Sequence, residues 1–490
     1  MIQGNSKRVP LKIKKLPQVK IKNKNKLQQF KTPKTKNLEW NDSLNLFLGN
    51  FQFKKVENSF RMNHGPTGYG GYLSQHTTEG FRKGYGEDAR NYRLEFTKEA
   101  PDNKYLFYIR SQYKKNNLEL PEPEFLPYLG NTREEYGFKH NLTLKGKDNN
   151  LPFSVSFDVH SSKSSDNNKN SFKTALYRLG FIYQKNIWET AFSIENEKRG
   201  AQKLFLSKLF IKRTTRLLNQ QTKLHVGLGS SLFFNRNANN SKLFSFNSKN
   251  KKRGVAFSPY AQLDHYYNKK TVLYLSFAQF YDKNDYQETN FNFPELNHEN
   301  DIILPTLNTQ IDGGIRYNIN SSWKTLISAS LHRFKNKNVL IEDLSTNKHH
   351  LKYESFLKGF KSSLNFNLIS QLNKYFSMHS NVSLNRYRWE NPSIKFNPYE
   401  GNIKTNFKLQ FEIGKLNAKT EYIWISARKS YPIIQELSDK VLVNFSVKYD
   451  WLENLNFNLQ LNNLFDKKYL HLPSYPASGI NGMIGINLNL

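Results

Sequence analysis

The sequence predicts an all-β chain and, within that class, a transmembrane antiparallel up-and-down β-barrel of about 20–22 strands, an even count being usual. Three observations carry this. Apolar residues recur with period two rather than the helical 3.6 over most of the 490 residues. No amphipathic helix stands between the alternating runs, and a parallel α/β architecture would need such crossovers. No run of about 18 apolar residues occurs either, which excludes membrane-spanning helices.

The composition agrees once barrel strands are treated as half polar by construction. Hydrophobic residues make up only 37% of the chain and the mean hydropathy is -0.72, values that would exclude a helical membrane protein but not a barrel. The 37 Phe and 27 Tyr suit aromatic girdles at two membrane interfaces. With no cysteine, a disulfide framework, a zinc ribbon and a thiol nucleophile are all unavailable. The formal net charge of +33 points to an anionic partner, either a nucleic acid or a membrane surface. Lys and Asn are spread along the polar faces and connections, so no nucleic acid is expected.

In chain order, residues 1–43 form a basic segment, expected to be disordered. Within residues 1–37, Lys7, Arg8, Lys12, Lys14, Lys15 and the lysines up to Lys36 stand without an acid among them. This stretch has no apolar core of signal-peptide length, so a signal peptide is not expected within the chain. Residues 44–490 are read as the barrel. Gly68-Tyr69-Gly70-Gly71 lacks the strand-to-helix context of a phosphate loop and suits a strand instead. A strand is expected over Tyr105–Tyr113, then a long loop to Arg133, with the following strand opening near Glu135. Phe153, Val155, Phe157 and Val159 alternate with polar residues, and Ser161–Ser171 reads as a polar loop. Further strands are expected around Leu273–Phe277, Trp323–Leu331, Leu364–Leu368, Phe376–Leu384 and Phe407–Ile413. In the last of these the inward Lys408, Gln410 and Glu412 imply a wet lumen. Leu455, Phe457, Leu459 and Leu461 alternate with Asn456, Asn458, Gln460 and Asn462, and Ile484, Ile486, Leu488 and Leu490 make a terminal strand suited to closure.

Three blocks resemble the TonB-dependent outer-membrane receptors of the siderophore-receptor type. The most specific is Asn462-Asn463-Leu464-Phe465-Asp466 with Tyr469, which resembles their penultimate-strand motif. The second is Gly314, Arg316 and Tyr317, similar to a mid-barrel strand that follows a proline-containing loop, here with Asp312 as the acidic residue. The third is residues 60–96, similar to the early barrel strands. At the C-terminal end Leu490 and Ile480 stand where an aromatic residue and an arginine are usual in that family.

The resemblance implies a receptor and transporter barrel of the cell outer membrane for a ferric siderophore or similar metal chelate, energised through the TonB complex if a plug is supplied. It covers the barrel portion without a recognisable plug, so a truncated or split receptor is expected. Outer-membrane lipid and lipopolysaccharide are the surrounding partners, and a monomer is expected. A passive porin-like channel is the alternative, and a basic nucleic-acid-binding β protein a remoter one. No catalytic motif is present, no enzyme is expected, and no cofactor or metal site is implied. His349-His350 is read as surface polarity, because adjacent strand residues point to opposite faces.

Overall fold

A strand with one apolar and one polar face needs two different surroundings, and a sheet closed on itself supplies them without leaving an edge. This is the arrangement adopted. The computed structural model describes residues 38–80, 86–100, 104–119, 132–146, 152–166, 171–185, 187–199, 202–217, 221–236, 253–282, 306–343, 350–390, 397, 399–430, 435–472 and 475–489. Among them there is no helix, and 22 strands form one closed antiparallel sheet.

The barrel strands are β1 (Leu38–Gly49), β2 (Lys54–His64), β3 (Thr67–Thr78), β4 (Glu87–Glu99), β5 (Tyr105–Glu119), β6 (Thr132–Gly146), β7 (Phe153–Asp166), β8 (Ser171–Lys185), β9 (Trp188–Arg199), β10 (Gln202–Leu217) and β11 (Thr222–Arg236). They continue with β12 (Arg253–Tyr266), β13 (Thr271–Asp282), β14 (Thr306–Asn318), β15 (Trp323–Asp343), β16 (His350–Gln371), β17 (Phe376–Trp389), β18 (Ile403–Ile413) and β19 (Leu416–Ile425). After the small ribbon β20 (Arg428–Lys429) and β21 (Glu436–Leu437) come β22 (Lys440–Asp450) and β23 (Leu455–Asn462). A second ribbon, β24 (Leu470–Leu472) and β25 (Tyr475–Pro476), precedes the last barrel strand, β26 (Asn481–Asn489). Each barrel strand pairs with the next barrel strand along the chain, and β1 pairs with β26 from Ser43↔Asn489 to Gly49↔Met483, which closes the ring. Asn50 latches this seam: its side chain donates to Ile480 O (2.9 Å) and accepts from Gly482 N (3.1 Å).

The register carries one apolar face around the whole ring. Leu46 opposes Val56, Leu94 opposes Gly71, Leu142 opposes Phe157, Leu275 opposes Gly313, and Phe457 opposes Ile486. The large outward side chains are exposed, Leu48 at 65% and Ile484 at 62%, as a lipid-facing band requires. Connections at one end are short, as at 65–66, 186–187, 267–270, 319–322 and 414–415. Those at the other end include 120–131, 237–252, 283–305, 390–402, 426–439 and 463–480. Exposed Trp40, Tyr105, Trp188, Tyr267, Tyr317, Tyr449 and Trp451 ring the short-turn end, and Tyr92, Phe138, Tyr177 and Phe257 mark a second belt toward the other end.

Several strands run past the limits their alternation predicts. β7 continues to Asp166 through residues expected to be loop, β6 already opens at Thr132, and β15 and β16 extend together from Trp323↔Ser370 to Asp343↔His350. Above the lipid both faces of a strand are wet, so alternation is lost while the backbone ladder persists. His350 thus begins β16, while His349 lies outside the described residues, as do residues 1–37; β1 opens at Leu38.

Candidate functional site: the lumen and its long-loop mouth

The face opposite the lipid band is enclosed, and ion pairs within and between strands run along it. Arg110 meets Glu95 through Nη2 (2.6 Å) and Nε (2.7 Å), with Arg93 Nε on the same carboxylate at 3.2 Å. Arg178 Nε lies 3.0 Å from Glu195, Lys212 Nζ 2.6 Å from Glu189, Lys55 Nζ 2.7 Å from Glu57, and Lys408 Nζ 2.8 Å from Glu421. Neutral groups fill between them: Tyr72 donates to Glu57 (2.7 Å), and Asn406 donates to Glu421 (3.0 Å). Each of these carboxylates is matched by a cation, and Lys139, Lys361 and Lys419 add further positive charge to that face.

At the long-loop end, β15, β16 and β17 bring together an aromatic and cationic group on this inner face. Period two puts Tyr387 and Trp389 on one side of β17, where their rings stack with centroids 6.3 Å apart at 10°. Phe334 lies 6.4 Å from Trp389 and 6.1 Å from His332. All three large rings are buried, Phe334 at 6% and Tyr387 and Trp389 at 5%. Gly359 makes room: a Cβ there would fall 2.4 Å from the Trp389 ring. Cations cover the group, with Lys337 Nζ 4.4 Å from the Phe334 centroid and Lys361 Nζ 5.4 Å from that of Tyr387. The Tyr387 hydroxyl donates to Glu400 (2.7 Å), whose carboxylate also meets Lys404 Nζ at 3.6 Å. Burial pushes the Glu400 carboxyl up, but Lys404, the Tyr387 hydrogen bond, Lys337 and Lys361 together outweigh that and hold it below the usual carboxylate range. Such a cluster presents positive charge on a rigid aromatic base, a surface suited to an anionic ligand carrying flat or apolar parts.

Chain alternation alone does not single this cluster out, since its parts come from three strands and the connection 390–402. The only local signal is the spacing of Tyr387 and Trp389, interleaved with Arg386 and Arg388.

The sequence-predicted motif residues fall in two other places. Asn462 ends β23, and Asn463-Leu464-Phe465-Asp466 turns at the long-loop end, where Asn463 (φ 52°) and Asp466 (φ 50°) adopt left-handed backbone conformations. Buried Asn463 donates from Nδ2 to Lys467 O (3.1 Å) and Ser478 O (3.2 Å), and accepts from Lys467 N at 3.0 Å. Asp466 accepts from Ile480 N (2.8 Å), and Gly479 lets it approach, since a Cβ there would lie 2.2 Å from Asp466 Oδ1. Leu464 N donates to Val443 O (2.8 Å), while Phe465 stays 72% exposed. Tyr469 is buried beneath Lys440 Nζ, 4.7 Å from its ring. In β14, Gly314 and Arg316 face the lumen, Arg316 stacking 4.6 Å from the Tyr274 ring, whereas Tyr317 faces lipid in the short-turn girdle. None of these residues joins the aromatic and lysine cluster. Asn463 and Asp466 bond within the connection 463–480. No grouping of three or more metal-ligating His, Cys, Asp or Glu residues occurs among the described residues.

Comparison with solved structures matches this architecture. The FrpB iron transporter from Neisseria meningitidis, F5-1 variant, superposes with a TM-score of 0.73 at 12% identity, over 92% of this chain and 82% of that one. The copper transporter OprC gives 0.70 at 10% identity, over 94% and 81%. The ferripyoverdine receptor of the outer membrane of Pseudomonas aeruginosa, bound to ferripyoverdine, gives 0.70 at 12% identity, over 92% and 72%. The fold is the barrel of the TonB-dependent receptors. No family model and no curated relative matches the sequence. At 10–12% identity the likeness is one of fold.

Proposed function

We propose that this chain is the outer-membrane barrel of a receptor that takes up a ferric siderophore or a similar metal chelate. The observation that carries the reading is the buried Phe334, Tyr387 and Trp389 group under Lys337 and Lys361, at the long-loop mouth of a receptor-type barrel. Neighbours in fold include an iron transporter and a receptor bound to a ferric chelate. The long-loop end is then extracellular. Many ferric chelates are anionic, and a low-dielectric mouth lined with cations raises their local concentration. A lumen bounded by 22 strands is wide enough for such a ligand. Energised passage needs a plug within that lumen and the TonB complex acting on it, and the barrel serves as a monomer.

The test is titration of the full chain, folded in detergent, with ferric chelates of graded charge. Saturable binding is expected, stronger for anionic chelates, weakened by salt, and weakened by Lys361→Ala. Conductance through planar bilayers without saturable binding would instead identify a passive channel, and preference for a cationic chelate would overturn the charge argument.

A further inference from the structure

On the lipid side of β14–β18 lies a depression of about 550 Å³. Its floor is made by the small residues Ala329 and Ser362, and its walls by Ile311, Leu331, Leu364 and Leu384. These walls are exposed aliphatics in the lipid-facing band, between 42% and 48% accessible. Arg386 closes the end toward the long loops, opposite Ser362 in the register. One register step further, Arg333, Phe360 and Arg388 stand in a row across three strands. Arg333 and Arg388 are exposed, and the Arg333 guanidinium sits 5.7 Å from the Phe360 ring.

Among the described side chains of this sector cations predominate. Its acid, Glu390, is engaged by Lys358 Nζ at 3.4 Å. Among the described residues neither Arg386 nor Arg388 meets a carboxylate. Elsewhere on the outer wall at the same end the charges alternate: Lys115 Nζ sits 2.6 Å from Glu134, and Arg90 3.4 Å from Asp88. A row of arginines just above the apolar band, over a groove of aliphatic side chains, complements a molecule with phosphate at the interface and an acyl chain below it. Arginine is suited to that role through its bidentate fork.

We propose that this face is a binding site for a phosphorylated lipid of the surrounding leaflet, with its phosphates on Arg333, Arg386 and Arg388 and one acyl chain over Ala329 and Ser362. The site depends on the transmembrane fold and not on the identity of the cargo. It sits on the opposite face of the same strands from the aromatic and lysine cluster.

The experiment is native mass spectrometry of the full chain folded in detergent, titrated with a diphosphoryl glycolipid. Three variants are compared with the parent chain: Arg386→Gln with Arg388→Gln, Ala329→Leu with Ser362→Leu, and Lys163→Gln as a distant outer-wall control. Folding is checked in each by the gel shift on boiling. Retained lipid should fall about tenfold or more in the arginine variant, the scale of lost charge-assisted hydrogen bonds. It should also fall in the groove-filled variant and stay unchanged in the control. Retention equal to the parent in either the arginine or the groove-filled variant, with the barrel folded, overturns the proposal. Displacement of the lipid by inorganic phosphate at equal concentration does so too, because the acyl chain would then contribute nothing.

Discussion

On β17 the residues Asn385, Tyr387 and Trp389 are buried, while Leu384, Arg386 and Arg388, which alternate with them, are exposed. The inner set is held by ring stacking, by Lys337 and Lys361 above the rings, and by the Tyr387–Glu400 hydrogen bond. The outer set meets lipid and its interface. One strand therefore has to satisfy two solvents at a spacing of one residue. The difference teaches that polarity at a position says little here until its face is known. An arginine is at home outside near the interface, and a tryptophan is at home inside near the mouth.

The largest effect expected from breaking this pairing comes from Trp389→Ala. Removing a buried ring that Phe334, Tyr387 and Gly359 pack around should cost about 3–5 kcal/mol, read as a lower urea midpoint for the detergent-folded barrel. Next come adjacent residues on β16. Phe366 faces lipid opposite Ile327 and Val382, so Phe366→Lys should cost about 2–4 kcal/mol near the midplane. Asn365→Lys, one residue away and facing the lumen, should leave the midpoint nearly unchanged. Equal effects from the two would show that the faces are misassigned.

Asn463→Ala tests the turn motif. It removes bonds to Lys467 and Ser478 and should cost about 1–3 kcal/mol, with faster protease cleavage in the connection 463–480 as a second readout. A smaller effect is expected from pH. The folded Glu400 titrates below its ordinary value, so its contribution is fully present above the unfolded value and disappears as the pH falls through the folded one. The difference in midpoint between the parent chain and Glu400→Gln should therefore shrink on acidification below the usual carboxylate range. A difference that grows instead would reverse the sign. Smallest of all, Arg388→Gln on the exposed face should change stability by no more than about 0.5 kcal/mol.

Period-two alternation such as Leu455 to Leu461 gave the strand class and the separation of apolar from polar face, because a membrane imposes its own periodicity on every strand that crosses it, and chain length gave the approximate strand count. The motif around Asn463 and Asp466 was visible too, since few residues accept left-handed backbone and bond to their neighbours at once. The long ends of β15 and β16 were not legible, because above the lipid no solvent contrast remains to mark them. The aromatic and lysine cluster was not legible either.

What the amino-acid sequence determined by itself is thus the local part: which residues form strands, which face each presents, and where the chain turns tightly. Those follow from side-chain alternation and backbone sterics over a few residues. Only the tertiary structure decided which strands share a level, and so that Phe334, Lys361, Tyr387 and Glu400 meet inside while Arg333 and Arg388 line up outside. Register is a property of pairs of strands, set by every backbone hydrogen bond along them and by closure of the ring between β1 and β26, and no single strand carries it.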